Sequence, residues 1–395
     1  MLRKPRLYTA GPTPLHPQAV RAAIGPIPYH RSEEFSARFA RVQEGLRRAF
    51  RTEGPVAVLA CSGTGGMEAA LANLFAPGDR LAVVVGGKFG RRWMEIASAY
   101  GMGTAALELA PGQSVAAATV VEHLTASQPV EGILLTASET STGTAFDVRA
   151  IGAAIRADHP EVTIVVDAVS AIGALPVATD EWQLDAVVGG AQKAFMIPPG
   201  LAFVACSERG WQRVQEQRST PRYYLDLRRY AAAAGNQQTP YTPAIGLVLE
   251  LEAALQAIEE VGGIAALEAN AAGLAAATRA AAGVLQLELL SAASPSPAVT
   301  ALRAPRPGAA PAIVARLRQQ FGAQLSGGQG GLKPDIFRIG HLGYVDNLDL
   351  LGLLAALETV LIDSRHPVPR GAGVAAAAAK LAELSGPSPP TPGDR

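Results

Sequence analysis

Residues Asp185–Gly200 read DAVVGGAQKAFMIPPG. Ala186, Val187 and Val188 have the continuous apolar character of a strand buried on both faces. Two glycines follow, then a single lysine, Lys193, and then Pro198 and Pro199, which exclude a helix in between. The stretch therefore predicts a strand that delivers Lys193 onto irregular backbone at its end, among small and apolar neighbours. A lysine so placed loses solvation, its pKa falls, and the amine becomes a nucleophile for a carbonyl or an internal imine.

Upstream, TIVVDAVSAIGA predicts a second buried strand from Thr163 that ends on Asp167. An acid at the carboxyl end of an apolar strand lies where open α/β sheets bind ligands. Pyridoxal phosphate (PLP) needs this pair of groups: a lysine to hold it, and a carboxylate to keep its pyridine nitrogen protonated so that the ring acts as an electron sink. Lys193 and Asp167 supply them.

Working outward, VAVLA (Val56–Ala60) is a strand running straight into CSGTGGMEAALANLF, whose second half is helical from near Thr64. Free backbone N–H groups at such a helix start bind anions, so Ser62, Gly63 and Thr64 form a phosphate candidate. The spacing matches neither the dinucleotide fingerprint nor the P-loop. LAVVV (Leu81–Val85), ILLTA (Ile133–Ala137) and LAFVA (Leu201–Ala205) add further apolar strands, with helical stretches between most of them. That alternation predicts an α/β fold: a mostly parallel sheet covered by helices on both faces. In GGKFG, Phe89 is placed to stack on a planar cofactor. In SETSTGT, Thr140 and Ser141 put hydroxyls at a strand end.

The remaining segments set the organisation. Proline punctuates residues 1–30, which read as an extended arm; an amphipathic helix follows from Glu33 to Arg51. TPRYYLDLRRY and GNQQTPYTPAIG are too polar and proline-rich for core, and a long helix from about Ala244 to Val261 closes a large domain, 31–262. Segments LQLELL, VTALRA, a helix around Ala312–Phe321, DIFRIGHL and LDLLGLLAALETVLI predict a smaller α+β C-terminal domain, 263–365. Residues 366–395 read as a tail, GVAAAAAKLAEL as a last helix and GPSPPTPGDR as disordered.

Composition sets outer bounds. The 395 residues carry 34 basic and 34 acidic side chains, so no charged face argues for nucleic acid or an anionic membrane. Two cysteines, Cys61 and Cys206, make no disulfide framework, and the N-terminus lacks an apolar signal segment, so a cytoplasmic location is expected. No apolar run approaches the roughly 18 residues a membrane span needs.

Taken together, AGPTPL, SGTGGMEAAL, GGKFG, ETSTG, VVDAVSAIG, GGAQKAF, PPG, YYLDL, TPYTP and FRIGHLG occur in the order found in the class V aminotransferases of the fold-type I PLP enzymes. The chain resembles their alanine/serine-glyoxylate branch over roughly residues 5–365. The resemblance implies a seven-stranded-type sheet, Lys193 as the cofactor lysine, Asp167 as the pyridinium partner and Val169 packing under the ring. It further implies Phe89 stacking over the ring, where the family often has tryptophan, Ser62, Gly63, Thr64 and Gln192 at the phosphate, and Thr140 at the ring oxygen. Thr239 and Thr242 look like phosphate contacts given to a partner subunit, which implies a homodimer; the branch often has tyrosine where Thr239 stands. Arg338, with Gly11, resembles the substrate-carboxylate site. The implied activity is transfer of an amino group from serine or alanine to glyoxylate or pyruvate. Rivals are a ureidoglycine-glyoxylate transaminase, a lyase of the cysteine desulfurase or kynureninase kind, and an inactive PLP-binding partner protein.

Overall fold

A computed structural model describes residues 3–385. The disordered tail expected at GPSPPTPGDR lies outside the described residues; its neighbour forms the expected helix, Ala372–Ser385. The large sheet has seven strands in the order Val56–Leu59, Ala202–Cys206, Ala186–Gly190, Thr163–Asp167, Gly132–Thr136, Arg80–Val85, Gly103–Glu108. Neighbours from Ala186–Gly190 onward pair in parallel. Ala202–Cys206 runs antiparallel to the strands on both its sides.

Strand alternation explains why these segments are apolar without a break. Val56, Val58, Ala82, Val84, Ile133, Leu135, Ile164 and Val166 face one core, shared with the helix Glu33–Phe50. Their sequence neighbours Ala57, Leu59, Leu81, Val83, Leu134 and Val165 face another, built around the helix Gly63–Leu74 and Trp93. Both faces are dry, so period-two polarity disappears from the sequence.

A second sheet of four strands has the order Arg6–Tyr8, Ala323–Gly327, Ile336–Gly340, Val299–Arg303. Its core includes Tyr8, Leu325, Phe337 and Ile339, packed on the helices Gly263–Val284 and Asn347–Asp363. Two sequence expectations change here. The extended arm is built into the fold: Arg6–Tyr8 is an edge strand of this second sheet, paired in parallel with Ala323–Gly327. LQLELL forms no strand, contributing only a bridge between Leu289 and Leu302. No single helix among the described residues is long and apolar enough to cross a membrane.

Candidate active site

The carboxyl ends of the large-sheet strands converge on a cavity of about 220 Å³. Its wall is assembled from the loops or ends of five of the seven strands: Ser62, Gly63 and Thr64; Lys88, Phe89 and Arg92; Ser138; Asp167, Val169 and Ser170; Gln192 and Lys193. Gly11 comes from the arm and Gln329 from the loop after Ala323–Gly327.

Lys193 is buried, and its Nζ donates to the carbonyl oxygen of Ala10. Burial pushes the amine down to about 8, with Arg338 acting in the same direction and Asp167 opposing. The arm fixes this lysine from above, because Thr13 donates to the backbone of Gln192 and Lys193, at 3.2 and 2.8 Å. Gly11 sits at φ +128°, and a Cβ there would come within 2.3 Å of Nζ. Only glycine lets the arm pass so close to the amine.

Asp167 is buried beneath the same cavity. Burial pushes its carboxyl up to about 6, against the Val169 N–H, which donates to Oδ1 at 2.9 Å. The two shifts are opposed: one acid and one base, each held near neutrality by the same dry environment.

The helix Gly63–Leu74 points its N-terminus at the cavity. Ser62 is its N-cap residue, yet its side chain makes no capping bond, so the hydroxyl stays available to a ligand. A Cβ on Gly63 would meet Val169 at 2.8 Å, so the turn is packed directly on the strand-end loop. Arg92, which sequence reasoning missed, donates from Nη1 to Thr64 Oγ1 at 3.1 Å and lies 4.9 Å from the Phe89 ring centroid. A motif offers little sign of it, because Arg91 and Arg92 adjoin and only helical phase separates the inward one.

Glu139 was also missed. Fully buried, it accepts from the N–H groups of Phe89 and Gly90 at 2.8 and 3.1 Å, anchoring the start of the helix Lys88–Ala99. The polar run after the strand Gly132–Thr136 was its only trace in the sequence.

Four predicted residues lie elsewhere. Thr140 and Arg338 do not line the cavity, although Arg338 is near enough to act on Lys193: it donates to the Thr140 carbonyl at 2.6 Å and, through Nε and Nη2, to the Gly327 carbonyl at 2.9 and 2.7 Å. Thr239 and Thr242 line a separate pocket with Tyr224, Tyr230 and Tyr241. Arg31 donates to Gln238 and to the Thr239 carbonyl at 2.9 and 2.7 Å.

Comparison with known proteins decides the family. Residues 20–340 match Aminotransferase class-V. The chain belongs to the class V aminotransferases. This class V aminotransferase is 32% identical to the serine-glyoxylate aminotransferase of Methylorubrum extorquens, over 95% of its own length and 96% of the relative's. It is 41% identical to a protein named soluble hydrogenase, small subunit, of Synechococcus, covering 96% and 99% of the two chains. Among solved structures, an aspartate aminotransferase of subgroup IV from Thermus thermophilus matches at TM-score 0.83 and 36% identity, covering 91% and 99%. The class V chain is a PLP-dependent transaminase of fold type I, as its sheet and lysine loop require. Among the described residues, no group of three or more His, Cys, Asp or Glu side chains is gathered as a metal site.

Proposed function

We propose that this transaminase binds PLP in the Lys193–Asp167 cavity and moves an amino group from a small L-amino acid, serine or alanine, to glyoxylate or pyruvate. The observation that carries the reading is the Lys193–Asp167 pair, one amine lowered to about 8 and one carboxyl raised to about 6, in one cavity at the strand ends. The residues present suit the cofactor. Ser62, Gly63 and Thr64 offer a helix N-terminus to a phosphate, Phe89 an aromatic face, and Gln192 a carboxamide whose N–H groups can donate.

When bound, PLP supplies an electron sink for charge developing at the substrate Cα. Asp167 supplies the anion for its ring nitrogen. Lys193 would hold the cofactor and, when its amine is free, would move the proton at the substrate Cα; an amine titrating near 8 suits both taking and returning it. Lys193 and Asp167 are both buried in that wall, which strengthens each charge there. Thr239 and Thr242 lie away from the cavity of their own chain, and their assignment to a second copy rests on the family resemblance. Burial raises the Cys61 thiol to about 11, which disfavours the thiolate a desulfurase would need.

Purified protein screened with amino acids against glyoxylate, pyruvate and 2-oxoglutarate tests the substrate reading. Serine or alanine with glyoxylate is expected to exceed aspartate or glutamate with 2-oxoglutarate in kcat/KM. A dicarboxylic donor is the competing reading, since Lys88 is exposed at the cavity wall and a structural relative is an aspartate aminotransferase. Efficiencies led by aspartate or glutamate would establish it instead.

Arg92 yields a second expectation. Its guanidinium bridges Thr64 and Phe89, and a phosphate on that turn would otherwise find neutral donors. Arg92→Gln should weaken PLP binding about 10-fold to 100-fold while leaving unphosphorylated pyridoxal little changed, as read by equilibrium dialysis. An equal loss for both aldehydes would show that Arg92 only packs Phe89.

A further inference from the structure

Gln329 stands apart from the residues considered so far. Its loop is pinned on both sides: the Gly327 carbonyl receives two N–H groups of Arg338, and Gly328 N donates to the Ile336 carbonyl at 2.9 Å. At Gly328 a Cβ would lie 2.1 Å from the Leu332 carbonyl oxygen, so the chain passes too close to Leu332 for any side chain there. From that fixed base the Gln329 side chain enters the cavity that holds Lys193, yet its Oε1 is fully buried and has no hydrogen-bond partner.

A buried acceptor without a donor is a costly feature to keep. Of the three cations on the cavity wall, Lys193 is engaged on the Ala10 carbonyl and Arg92 on Thr64, while Lys88 is exposed and makes no bond to Gln329 Oε1. The missing donor therefore belongs to a ligand. A substrate's amino group is consumed by the reaction and its α-carboxylate offers only acceptors, which leaves the side chain.

We propose that Gln329 is a specificity-determining residue that accepts a hydrogen bond from the side-chain hydroxyl of a β-hydroxy amino donor such as serine. This deepens the transaminase reading and rests on it. Alanine brings no donor to Gln329, and aspartate brings a second acceptor, so serine is favoured over both.

Single-turnover half-reactions of the PLP-loaded enzyme with serine, alanine and aspartate test the assignment. Gln329→Leu is expected to lower kcat/KM for serine about 10-fold to 100-fold, with alanine falling far less and the resting cofactor spectrum unchanged. Gln329→Glu keeps an acceptor and should retain the preference for serine over alanine that the leucine variant loses. Equal losses for serine and alanine would overturn the proposal, as would a selective loss for aspartate, which would mean that the amide presents its N–H to a carboxylate. If the unmodified enzyme reacts with alanine but not serine, Gln329 is wrong and the transaminase reading stands; if it reacts with no amino acid, both fall.

Discussion

Lys193→Ala is expected to abolish covalent capture of PLP and to slow the half-reaction by about 10³-fold or more, since one amine serves as both tether and proton carrier. Borohydride reduction of the native enzyme, followed by mass spectrometry, should find the cofactor on Lys193; a reduced adduct on another lysine would overturn the central assignment. The same residue predicts a stability effect in the cofactor-free protein. Its folded pKa, about 8, lies below the ordinary 10.5, so between those values the unfolded chain holds a proton that the folded chain lacks. Cofactor-free stability should therefore rise with pH across that window. Asp167 acts oppositely: its carboxyl is raised from 3.8 to about 6, the folded state holds the extra proton, and stability falls as pH climbs through that range. At pH 7 each buried group costs about 3 kcal/mol. Lys193→Met, which keeps the apolar stem, should make the cofactor-free protein more stable at pH 7 and flatten its rise between pH 8 and 10.5. Denaturant titration across that range measures both.

That a site should be legible at all in one chain follows from where its residues sit. Asp167 and Lys193 each end or closely follow a strand buried on both faces, and such strands are continuous apolar runs that a reader finds without knowing the fold. Strand direction is not encoded in that way: Ala202–Cys206 is as apolar as its parallel neighbours and turned out antiparallel. Gly103–Glu108 escaped notice because it is the edge strand, partly exposed, with a mixed pattern. Arg6–Tyr8 hid within a proline-rich arm because only its partner strand, more than 300 residues away, makes it one. Glu139, Arg92 and Gln329 share a reason for being missed. What each does depends on the side chains that converge on it from other loops, and no local pattern carries that information.

Asp167→Asn isolates charge from shape. The amide keeps an oxygen for the Val169 N–H, so the strand end and the cavity should survive and PLP should still bind. What is lost is the anion: a neutral amide cannot stabilise a protonated ring nitrogen, and about 3 kcal/mol or more of charge stabilisation goes with it. The half-reaction should then slow by two to three orders of magnitude or more, roughly tenfold for each 1.4 kcal/mol. Acid should imitate the substitution. Burial holds the carboxyl near 6 in the cofactor-free chain, and a bound pyridinium, like any neighbouring cation, would move it lower. Any limb from the Lys193 amine is common to both proteins, so the native half-reaction should lose additional rate at a pH below 6, a loss that the asparagine variant, with nothing there to protonate, should lack. Stopped-flow single turnovers with a saturating donor give both profiles. Native-like rates in the asparagine variant would remove Asp167 from the chemistry, and a matching acid limb in both proteins would assign that limb to another group.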